Sequence, residues 1–280
     1  MNSATGQDTD GPAEALAREI LGAADSRRQI APFSARTAGA ALDMALAYRV
    51  TAALRRLRQA RGERPIGRKI GFTNRTIWAE YGVYAPIWGD MYDTTLRPLE
   101  PGAPVDLGPF LEPRLEPEIA FGIGRAPDPA MDEAALLDCI DWVAHGFEIV
   151  HSVFPGWRFA AADTVAGFGL HGAYRIGPRH QLTSATRPEW RARLARFEIA
   201  LARDGVEIDR GSAANVLGGP LSALRHLVQL LAADPVNPPL ATGEIVTTGT
   251  VTRAFPVAAG ETWRSDVIGL PIAGLEIRFA

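Results

Sequence analysis

Two glutamates one residue apart, Glu116 and Glu118, are the side chains of this sequence best placed to act as a pair. They lie in an alternating stretch, residues 114–121, in which apolar side chains occupy the positions on either side of each glutamate. Because successive side chains of a β-strand point to opposite faces, the two carboxylates are predicted to share one face. The alternative interpretation is that they line the solvent-exposed face of a half-buried strand and bind nothing.

A third glutamate, Glu148, interrupts the apolar run of residues 142–150, which predicts a second and largely buried strand. Three converging carboxylates with no basic residue at the same positions would repel one another and raise one another's pKa. A divalent cation removes that cost, and Mg²⁺ is commonly held by a few carboxylates together with water and substrate oxygens. The three positions therefore indicate a site for a hard metal ion.

Lys69 is the basic residue whose neighbours favour a role in such a site. It stands between Gly67 and Gly71, where missing side chains allow a backbone or a ligand to come close. Apolar residues occupy most of the alternate positions, so Lys69 is predicted to share the open face of the two glycines, from which its ammonium could reach a bound carboxylate or a reacting carbon. The alternative is a solvated lysine at a strand edge, with Arg68 as an equally exposed neighbour.

The sequence around these residues resembles the fumarylacetoacetate hydrolase superfamily, and within it the branch of 2-keto-4-pentenoate hydratases and 4-oxalocrotonate decarboxylases. Five segments carry the resemblance, in the family's order and over roughly residues 40–280. They are GRKIGFT at 67–73, EPEIAF at 116–121, EIVHS at 148–152, WRFAAADTVA at 157–166 and GEIVTTG at 243–249. Each segment is a weak pattern by itself, but five in series are specific.

The resemblance implies a set of site residues and an activity. It implies that Glu116, Glu118 and Glu148 bind Mg²⁺ or Mn²⁺, and that Lys69 is an active-site residue. The implied enzyme is a hydratase, a lyase that adds water to a small 2-hydroxydienoate or 2-oxo-enoate acid. The substrate carboxylate and its 2-oxo oxygen would chelate the metal, which stabilises the enolate, and Lys69 would assist proton transfer or hold the carboxylate.

Two alternatives to the hydratase remain open. One is a decarboxylase of a 4-oxalocrotonate-like 2-oxo diacid, in which the same metal-bound enolate accepts the electrons when CO₂ leaves. The other is a non-catalytic partner subunit of such an enzyme, although retention of the three glutamates and Lys69 argues against it.

The chain departs from the family pattern where the substrate pocket is shaped. After Asp163, the usual Asp-Asn-x-Ser element is replaced by GFGL at residues 167–170, and His171 follows where the family has no histidine. Residues 86–89, PIWG, lack the acidic residue that often precedes the aromatic–Gly pair. We therefore expect an intact metal site with altered recognition of the far end of the substrate. Asp163 and His171 are secondary candidates for handling water.

The elements that must position these residues divide the chain into two regions. Residues 1–64 are predicted to form a helical N-terminal region whose first ten or so residues are disordered, and residues 65–280 a β-rich catalytic body. The predicted class is α+β, with an irregular mixed β-sheet roll or barrel of the fumarylacetoacetate hydrolase type. Within the body, Asp204 and Gly205 predict a hairpin turn, and residues 221–232 a helix. Trp78 and Trp88, which follow Lys69, are candidates for a pocket wall.

Composition narrows the class of protein without naming a reaction. A net charge of −3 with no basic run argues against nucleic-acid binding. Cys139 is the one cysteine, which excludes an internal disulfide and fits a reducing cytoplasm. The sequence has no run that approaches the roughly 18 consecutive apolar residues of a membrane helix, so no membrane association is expected. We expect a cytoplasmic homo-oligomer acting on a small molecule, with association with another enzyme of its pathway as a further possibility.

Overall fold

The computed structural model of the chain describes residues 11–36 and 42–280. The predicted disorder of the first ten residues therefore lies outside the described residues. Helices and strands are both present, as the α+β prediction requires. The helices are α1 (Gly11–Asp25), α2 (Met44–Ala60), α3 (Trp78–Tyr81), α4 (Glu133–Leu137), α5 (Ala161–Ala166), α6 (Arg187–Leu194) and α7 (Pro220–Ala233).

The strands of the described chain form two sheets. The larger sheet has the order β2-β1-β11-β5-β6-β7-β3, with β12 beside β5 and β8 beside β6, and the smaller has the order β10-β9-β13-β14-β4. The strands are β1 (Pro65–Gly71), β2 (Ile87–Tyr92), β3 (Leu96–Pro98), β4 (Pro104–Val105), β5 (Arg114–Ile123), β6 (Ile140–Val150), β7 (His171–Ile176), β8 (His180–Gln181), β9 (Glu198–Arg203), β10 (Val206–Ser212), β11 (Ile245–Thr250), β12 (Phe255–Pro256), β13 (Thr262–Ile268) and β14 (Glu276–Phe279).

The large sheet is mixed, and it curls around its own apolar side chains. β1 and β11 are parallel, as are β3 and β7, while β5, β6 and β7 run antiparallel to one another. Met91 of β2 and Leu96 of β3, from opposite ends of the strand order, belong to one buried cluster with Ala120, Trp142 and side chains of β7 and β11. Burial of these side chains against each other requires the sheet to bend into a half-barrel. The prediction of an irregular mixed sheet is confirmed.

Each outer face of the half-barrel is covered by another layer. The small sheet packs on β5, β6 and β7, where Phe147 and Ile149 contact Trp263 and Phe279 in one cluster. Helices α4, α6 and α7 cover β1, β11 and the far ends of β5 and β6. The N-terminal helices α1 and α2 pack with α5 in a third cluster that also takes in Ile87 of β2. β1, the first strand, begins at Pro65, and the N-terminal helices share a buried cluster with Ile87 of the strand-rich part. The division of the chain at residues 64 and 65 into two regions stays a prediction.

The predicted hairpin turn is confirmed by backbone geometry, and a helix cap is found near Lys69. Asp204 (φ 51°) and Gly205 (φ 81°) join the antiparallel strands β9 and β10, as a two-residue turn with positive φ requires. Asn74 accepts a hydrogen bond from the backbone amide of Thr76 and so caps a short helical segment that continues into α3.

The expectation that no apolar stretch is long enough for a membrane helix is wrong for one segment. By length and composition alone, Ala213–Ala233 could cross a membrane. Its apolar residues recur at helical spacing and do not form a continuous run, so the pattern of consecutive apolar residues does not identify it. Of its most apolar window, 56% is buried inside the protein, and Leu221, Leu224 and Leu227 lie in the main core. Its helical part, α7 (Pro220–Ala233), is a core helix of the fold.

Candidate metal centre and cleft

The adjacent strands β5 and β6 bring the three predicted glutamates together. Glu116 lies directly opposite Glu148 in the antiparallel register, and Glu118 follows two residues later on the same face of β5. One ligand oxygen from each of the three lies within 4.8 Å of those of the others. Glu118 and Glu148 are fully buried, and Glu116 is half-buried. This burial excludes the alternative in which the pair only lines a solvent-exposed face.

Each buried glutamate has one oxygen fixed by a hydrogen bond and one oxygen with no hydrogen-bond partner. Glu118 Oε2 accepts a hydrogen bond of 2.9 Å from the amide of Gly249, and Glu148 Oε1 accepts one of 2.7 Å from His171 Nδ1. Glu118 Oε1 and Glu148 Oε2 are buried without a hydrogen-bond partner. Buried carboxylate oxygens are rarely left in this state, because the loss of hydration is not repaid. Orphan oxygens on converging carboxylates fit a hard divalent cation such as Mg²⁺ or Mn²⁺.

The charges of the cluster are balanced only in part by the protein. Burial raises the pKa of Glu116 to about 7, with the Lys69 ammonium offsetting part of the effect. Burial also raises the pKa of Glu118 well above its usual range, and the charges of Glu148 and Glu116 add to the shift. Burial acts in the same direction on Glu148, but Lys69 and His171 outweigh it and lower its pKa. The protein alone therefore favours one ionised carboxylate, whereas a bound divalent cation would favour three.

Lys69, the basic residue that the sequence analysis favours for the site, lies against the glutamates. Its Nζ is 3.4 Å from Glu148 Oε2, and its side chain is 3% exposed. Burial lowers the pKa of Lys69, but the charges of Glu148, Glu116 and Glu118 outweigh this and raise it overall, so the side chain carries a proton. The solvated-lysine alternative is excluded by this burial.

The flanking glycines leave the space that Lys69 occupies. A methyl group at Gly71 would lie 3.4 Å from Lys69 Nζ and 3.0 Å from Ile87 Cγ1, and one at Gly67 would collide with the Ile245 carbonyl of β11. The two glycines therefore have different roles. Gly67 permits the close pairing of β1 with β11, while Gly71 keeps room beside the ammonium.

His171 lies behind the glutamates and contacts the site through Glu148. Burial lowers the pKa of His171, although the hydrogen bond that its ring donates to Glu148 opposes the shift, so the ring is neutral. Because an ionised Glu148 can only accept, Nδ1–H donates to it, and Nε2 accepts from the Thr95 hydroxyl at 2.9 Å. His171 lines a separate cavity of about 680 Å³ rather than the cleft at Lys69. This geometry suits orientation of Glu148 more directly than contact with a reacting water.

Asp163 is buried away from the three glutamates, with its hydrogen-bonding capacity used locally. Its carboxylate accepts hydrogen bonds from the Ser34 amide at 3.0 Å, from the Ser34 hydroxyl, and from the Ala160 amide at 2.9 Å. It therefore caps the first turn of α5 and ties the segment around residue 34 to it. Nothing in these contacts directs Asp163 to a substrate.

A cleft opens beside Lys69 and Glu116. Trp157 and Phe159 form part of its wall, whereas the expected tryptophans do not. Trp88 is buried under Tyr48, with ring centroids 5.1 Å apart, and the Trp78 indole donates to the Phe72 carbonyl at 2.8 Å. The sequence did contain a signal for the true wall, because residues 157–159 lie in one of the five family segments.

Thr247 is a further residue of the site that sequence reasoning missed. It pairs with Lys69 across β1 and β11, is fully buried, and its hydroxyl has no hydrogen-bond partner. Since its neighbour in the register on β5 is Ala120, Thr247 shares the interior face of the half-barrel with the glutamates. It lies in the family segment 243–249, but the sequence does not reveal which of its two threonines points inward.

Comparisons with known proteins agree with this geometry. Residues 97–277 match the fumarylacetoacetate (FAA) hydrolase C-terminal family. The chain is 30% identical over 233 residues to 2-hydroxyhexa-2,4-dienoate hydratase of Comamonas testosteroni, covering 82% of this chain and 84% of the relative. It is 29% identical over 232 residues to a 4-oxalocrotonate decarboxylase of Pseudomonas sp, covering 81% and 86%.

A solved structure extends the similarity to nearly the whole fold. The 4-oxalocrotonate decarboxylase from Pseudomonas putida G7, complexed with magnesium and adipate, superposes with a TM-score of 0.85 at 27% identity. The superposition covers 96% of this chain and 97% of that one. The predicted fold type is therefore confirmed, including the N-terminal helices.

Proposed function

The chain belongs to the fumarylacetoacetate hydrolase family, and from this premise we propose that it is a divalent-metal-dependent hydratase, a lyase acting on a small 2-hydroxydienoate or 2-oxo-enoate acid. The observation that carries the proposal is the cluster of Glu116, Glu118 and Glu148, whose ligand oxygens lie within 4.8 Å of one another at the base of a cleft. Two carboxylate oxygens of this cluster are buried with no hydrogen-bond partner, which is the arrangement a metal ion completes.

The three glutamates would hold Mg²⁺ or Mn²⁺, and the amide of Gly249 and the ring of His171 would fix the orientation of two of them. When bound, the ion supplies Lewis-acid stabilisation of negative charge on the carboxylate and 2-oxo oxygens of the substrate.

Lys69 would act on the substrate from the side of the cleft. Its buried ammonium is held by Glu148 and can bind a substrate carboxylate or deliver a proton to a substrate carbon. For a 2-hydroxydienoate, that proton goes to the far carbon of the dienol, while the hydroxyl proton leaves as the 2-oxo group forms. The hydroxyl of water then bonds to the carbon conjugate to the 2-oxo group, and its remaining proton goes to the carbon between them. The sum is the addition of one water molecule.

Decarboxylation of a 2-oxo diacid is the second candidate function, because a 4-oxalocrotonate decarboxylase matches nearly the whole fold with a TM-score of 0.85. The same residues would serve it, with CO₂ leaving instead of water adding. A non-catalytic partner subunit is a weaker proposal, since the site retains both its carboxylates and its lysine.

One assay separates these functions. The purified chain with Mg²⁺ is mixed with 2-hydroxydienoates and with 2-oxo-enoate diacids, and loss of ultraviolet absorbance is followed while released CO₂ is measured. Loss of absorbance without CO₂ is expected. Stoichiometric CO₂ release would replace the hydratase by the decarboxylase, and no turnover of any of these acids would contradict both.

We also propose that the chain works as a homo-oligomer in the cytoplasm. Its buried, unpaired Cys139 suits a reducing compartment. Exposed apolar side chains such as Val206 (65%) and Ile268 (45%) suit contacts with another copy. A monomeric mass at micromolar concentration, measured by light scattering, would contradict the oligomer.

A further inference from the structure

Charge is confined to one end of the cleft. Among the lining residues in the described part of the chain, the charged ones are Lys69 and Glu116. Glu116 belongs to the cluster of three glutamates, and Lys69 contacts that cluster through Glu148. Thr73, Asn74 and Thr250 add neutral polar groups. The other large side chains of the wall are apolar, namely Phe72, Ile87, Val150, Trp157, Phe159 and Leu170. A ligand that places its polar end at Lys69 therefore places its other end against a wall that carries no charge and is largely apolar.

The apolar character begins directly beside the ammonium. Ile87 Cγ1 and Lys69 Nζ lie 3.0 Å and 3.4 Å from the same point, the position of a methyl group on Gly71. Lys69 is also in contact with Glu148, so its charge is already compensated within the site. A second ligand carboxylate buried in the cleft would thus lose its hydration without gaining an uncompensated cation among the lining residues, which is unfavourable.

Three of the apolar wall residues occupy a backbone conformation that disfavours them. Phe72 (φ 53°), Trp157 (φ 57°) and Leu170 (φ 65°) are all in the left-handed region. Glycine or asparagine adopts this region at lower energetic cost than a large apolar residue. Large apolar side chains at three such positions around one cleft indicate that their surfaces are needed there.

Hydrogen bonds and a stacking contact hold the part of the cleft wall around Trp157 in place. The Trp157 indole N–H donates to the Glu112 carbonyl at 3.0 Å, and the Arg114 guanidinium stacks 4.1 Å from the ring centroid. The neighbouring Gly156 amide donates to the Glu112 carboxylate at 3.0 Å. A fixed aromatic face of this kind is well suited to pack against a flat or bulky apolar group.

We propose that the cleft selects 2-oxo and 2-hydroxydienoate acids whose far end is an uncharged alkyl or aryl group, and that Ile87, Leu170 and Trp157 form the subsite for that tail. The proposal rests on the proposed function for the placement of the carboxylate end at Lys69 and the glutamates. It excludes diacids as preferred substrates, and so it favours hydration over decarboxylation of a 2-oxo diacid.

Binding of saturated analogues tests the subsite without requiring turnover. Calorimetry in Mg²⁺ compares 2-oxo-5-phenylpentanoate with 2-oxohexanedioate, which shares its 2-oxo acid end but carries a carboxylate at the other. The phenyl compound is expected to bind at least about tenfold more tightly, because its tail is buried against hydrocarbon. Equal affinity or a preference for the diacid would overturn the proposal.

Two leucines provide a matched pair of variants. Leu170 and Leu217 are similarly buried (7% and 6% exposed) and share the left-handed backbone (φ 65° and 53°). Leu170 lines the cleft, whereas Leu217 lies in the main core. Asparagine tolerates this backbone conformation at both positions. Leu170→Asn is expected to lower the phenyl-to-diacid affinity ratio by about fivefold, while Leu217→Asn leaves the ratio unchanged. Equal ratios in the two variants would reject a role for Leu170 in the subsite.

A third variant, at Trp157, tests the subsite even if the two leucine variants do not fold. Trp157 is half-buried in a surface segment, so Trp157→Ser should fold. It is expected to weaken binding of 2-oxo-5-phenylpentanoate by about tenfold and to leave 2-oxobutanoate, which has no long tail, within about twofold. Equal losses for both ligands would show that Trp157 supports the site as a whole and would overturn the tail subsite.

Turnover distinguishes failure of the subsite from failure of the proposed function. Tight binding of the phenyl analogue without hydration of any dienoate would leave the subsite standing and reject the hydratase. Turnover with a preference for diacids would reject the subsite and leave the metal-dependent lyase.

Discussion

Two groups of buried carboxylates in this protein differ in how their oxygens are satisfied. Asp163 is fully buried, and both of its oxygens accept hydrogen bonds, from Ser34 and from the Ala160 amide. Glu118 and Glu148 are equally buried, but each has one oxygen with no hydrogen-bond partner. Burial alone therefore does not separate a structural acid from a ligand.

The difference determines whether a buried carboxylate stabilises the fold or favours binding of a cation. A carboxylate whose acceptors are filled stabilises the fold through those bonds, as Asp163 does for α5 and the segment around residue 34. A carboxylate with an unfilled acceptor is destabilising until something binds it. The sequence made both Asp163 and the glutamates candidates for the site. They differ in that hydrogen bonds fill both oxygens of Asp163 and leave one oxygen of Glu118 and of Glu148 without a hydrogen-bond partner.

The largest expected effect comes from removing one ligand charge. Glu118→Gln keeps the shape of the side chain and an oxygen, but it leaves the bound cation undercompensated. Affinity for Mn²⁺ and turnover should both fall by at least about 100-fold, as measured by calorimetry and the dienoate assay. Full activity of the variant at limiting metal would refute the assignment.

Lys69→Met tests whether the ammonium acts separately from the metal ligands. Methionine keeps much of the stem's volume but cannot carry a proton. Turnover should fall by roughly 100-fold, the usual range for a lost proton-transfer group, while Mn²⁺ binding persists. Near-normal turnover would remove Lys69 from the chemistry, and loss of both metal binding and folding would make it structural.

His151 extends the comparison to a buried base and predicts how stability depends on pH. Burial lowers the pKa of His151 to about 4, and its Nδ1 accepts from the Leu111 amide. Because the unfolded chain takes up a proton near pH 6.5 and the folded one does not, the free energy of unfolding should fall as pH drops from about 6.5 to 4. The loss for this group is at most roughly 3 kcal/mol, and above pH 6.5 it contributes no slope.

Urea denaturation at several pH values measures that slope. His151→Asn keeps an acceptor near Nδ1 but has no titrating group, so its unfolding free energy should change less between pH 6.5 and 4. An unchanged slope in the variant would assign the acid sensitivity to other groups.

Asp163→Asn should give the smallest effect on function and a moderate one on stability. Replacing an oxygen with an amide NH₂ sets a donor against the donors of Ser34 and Ala160, which should lower the free energy of unfolding by about 1–3 kcal/mol. Mn²⁺ affinity should stay within about twofold of wild type. A fall in metal affinity like that of Glu118→Gln would erase the distinction between the two kinds of acid.

Short-range pattern explains what could be predicted from the sequence. Period-two alternation places Glu116 and Glu118 on one face, and their pairing with Glu148 follows because β5 and β6 are neighbours in both sequence and sheet. The three proposed metal ligands were therefore accessible from local rules together with the family resemblance.

Long-range pairing explains what could not be predicted. Lys69 was predicted for the site, but its burial against Glu148 depends on the parallel pairing of β1 with β11, from the far end of the chain, which local pattern does not reveal. The role of Asp163 depends on Ser34, 129 residues earlier. The cleft wall depends on the left-handed backbone at Trp157, which no residue preference predicts for a tryptophan. Trp78 and Trp88 were plausible from their proximity in sequence to Lys69, but their side chains bond and stack elsewhere.

Calorimetric titration of the metal-free chain with Mn²⁺ at pH 6 and pH 8 tests the central claim most directly. Since burial raises the pKa of Glu116 to about 7 and that of Glu118 well above its usual range, both must lose protons before they bind a cation. The account predicts one ion per chain, higher affinity at pH 8 than at pH 6, and proton release at pH 6, detected by comparing buffers of different ionisation enthalpy. Absence of binding, or equal affinity at both pH values without proton release, would contradict it.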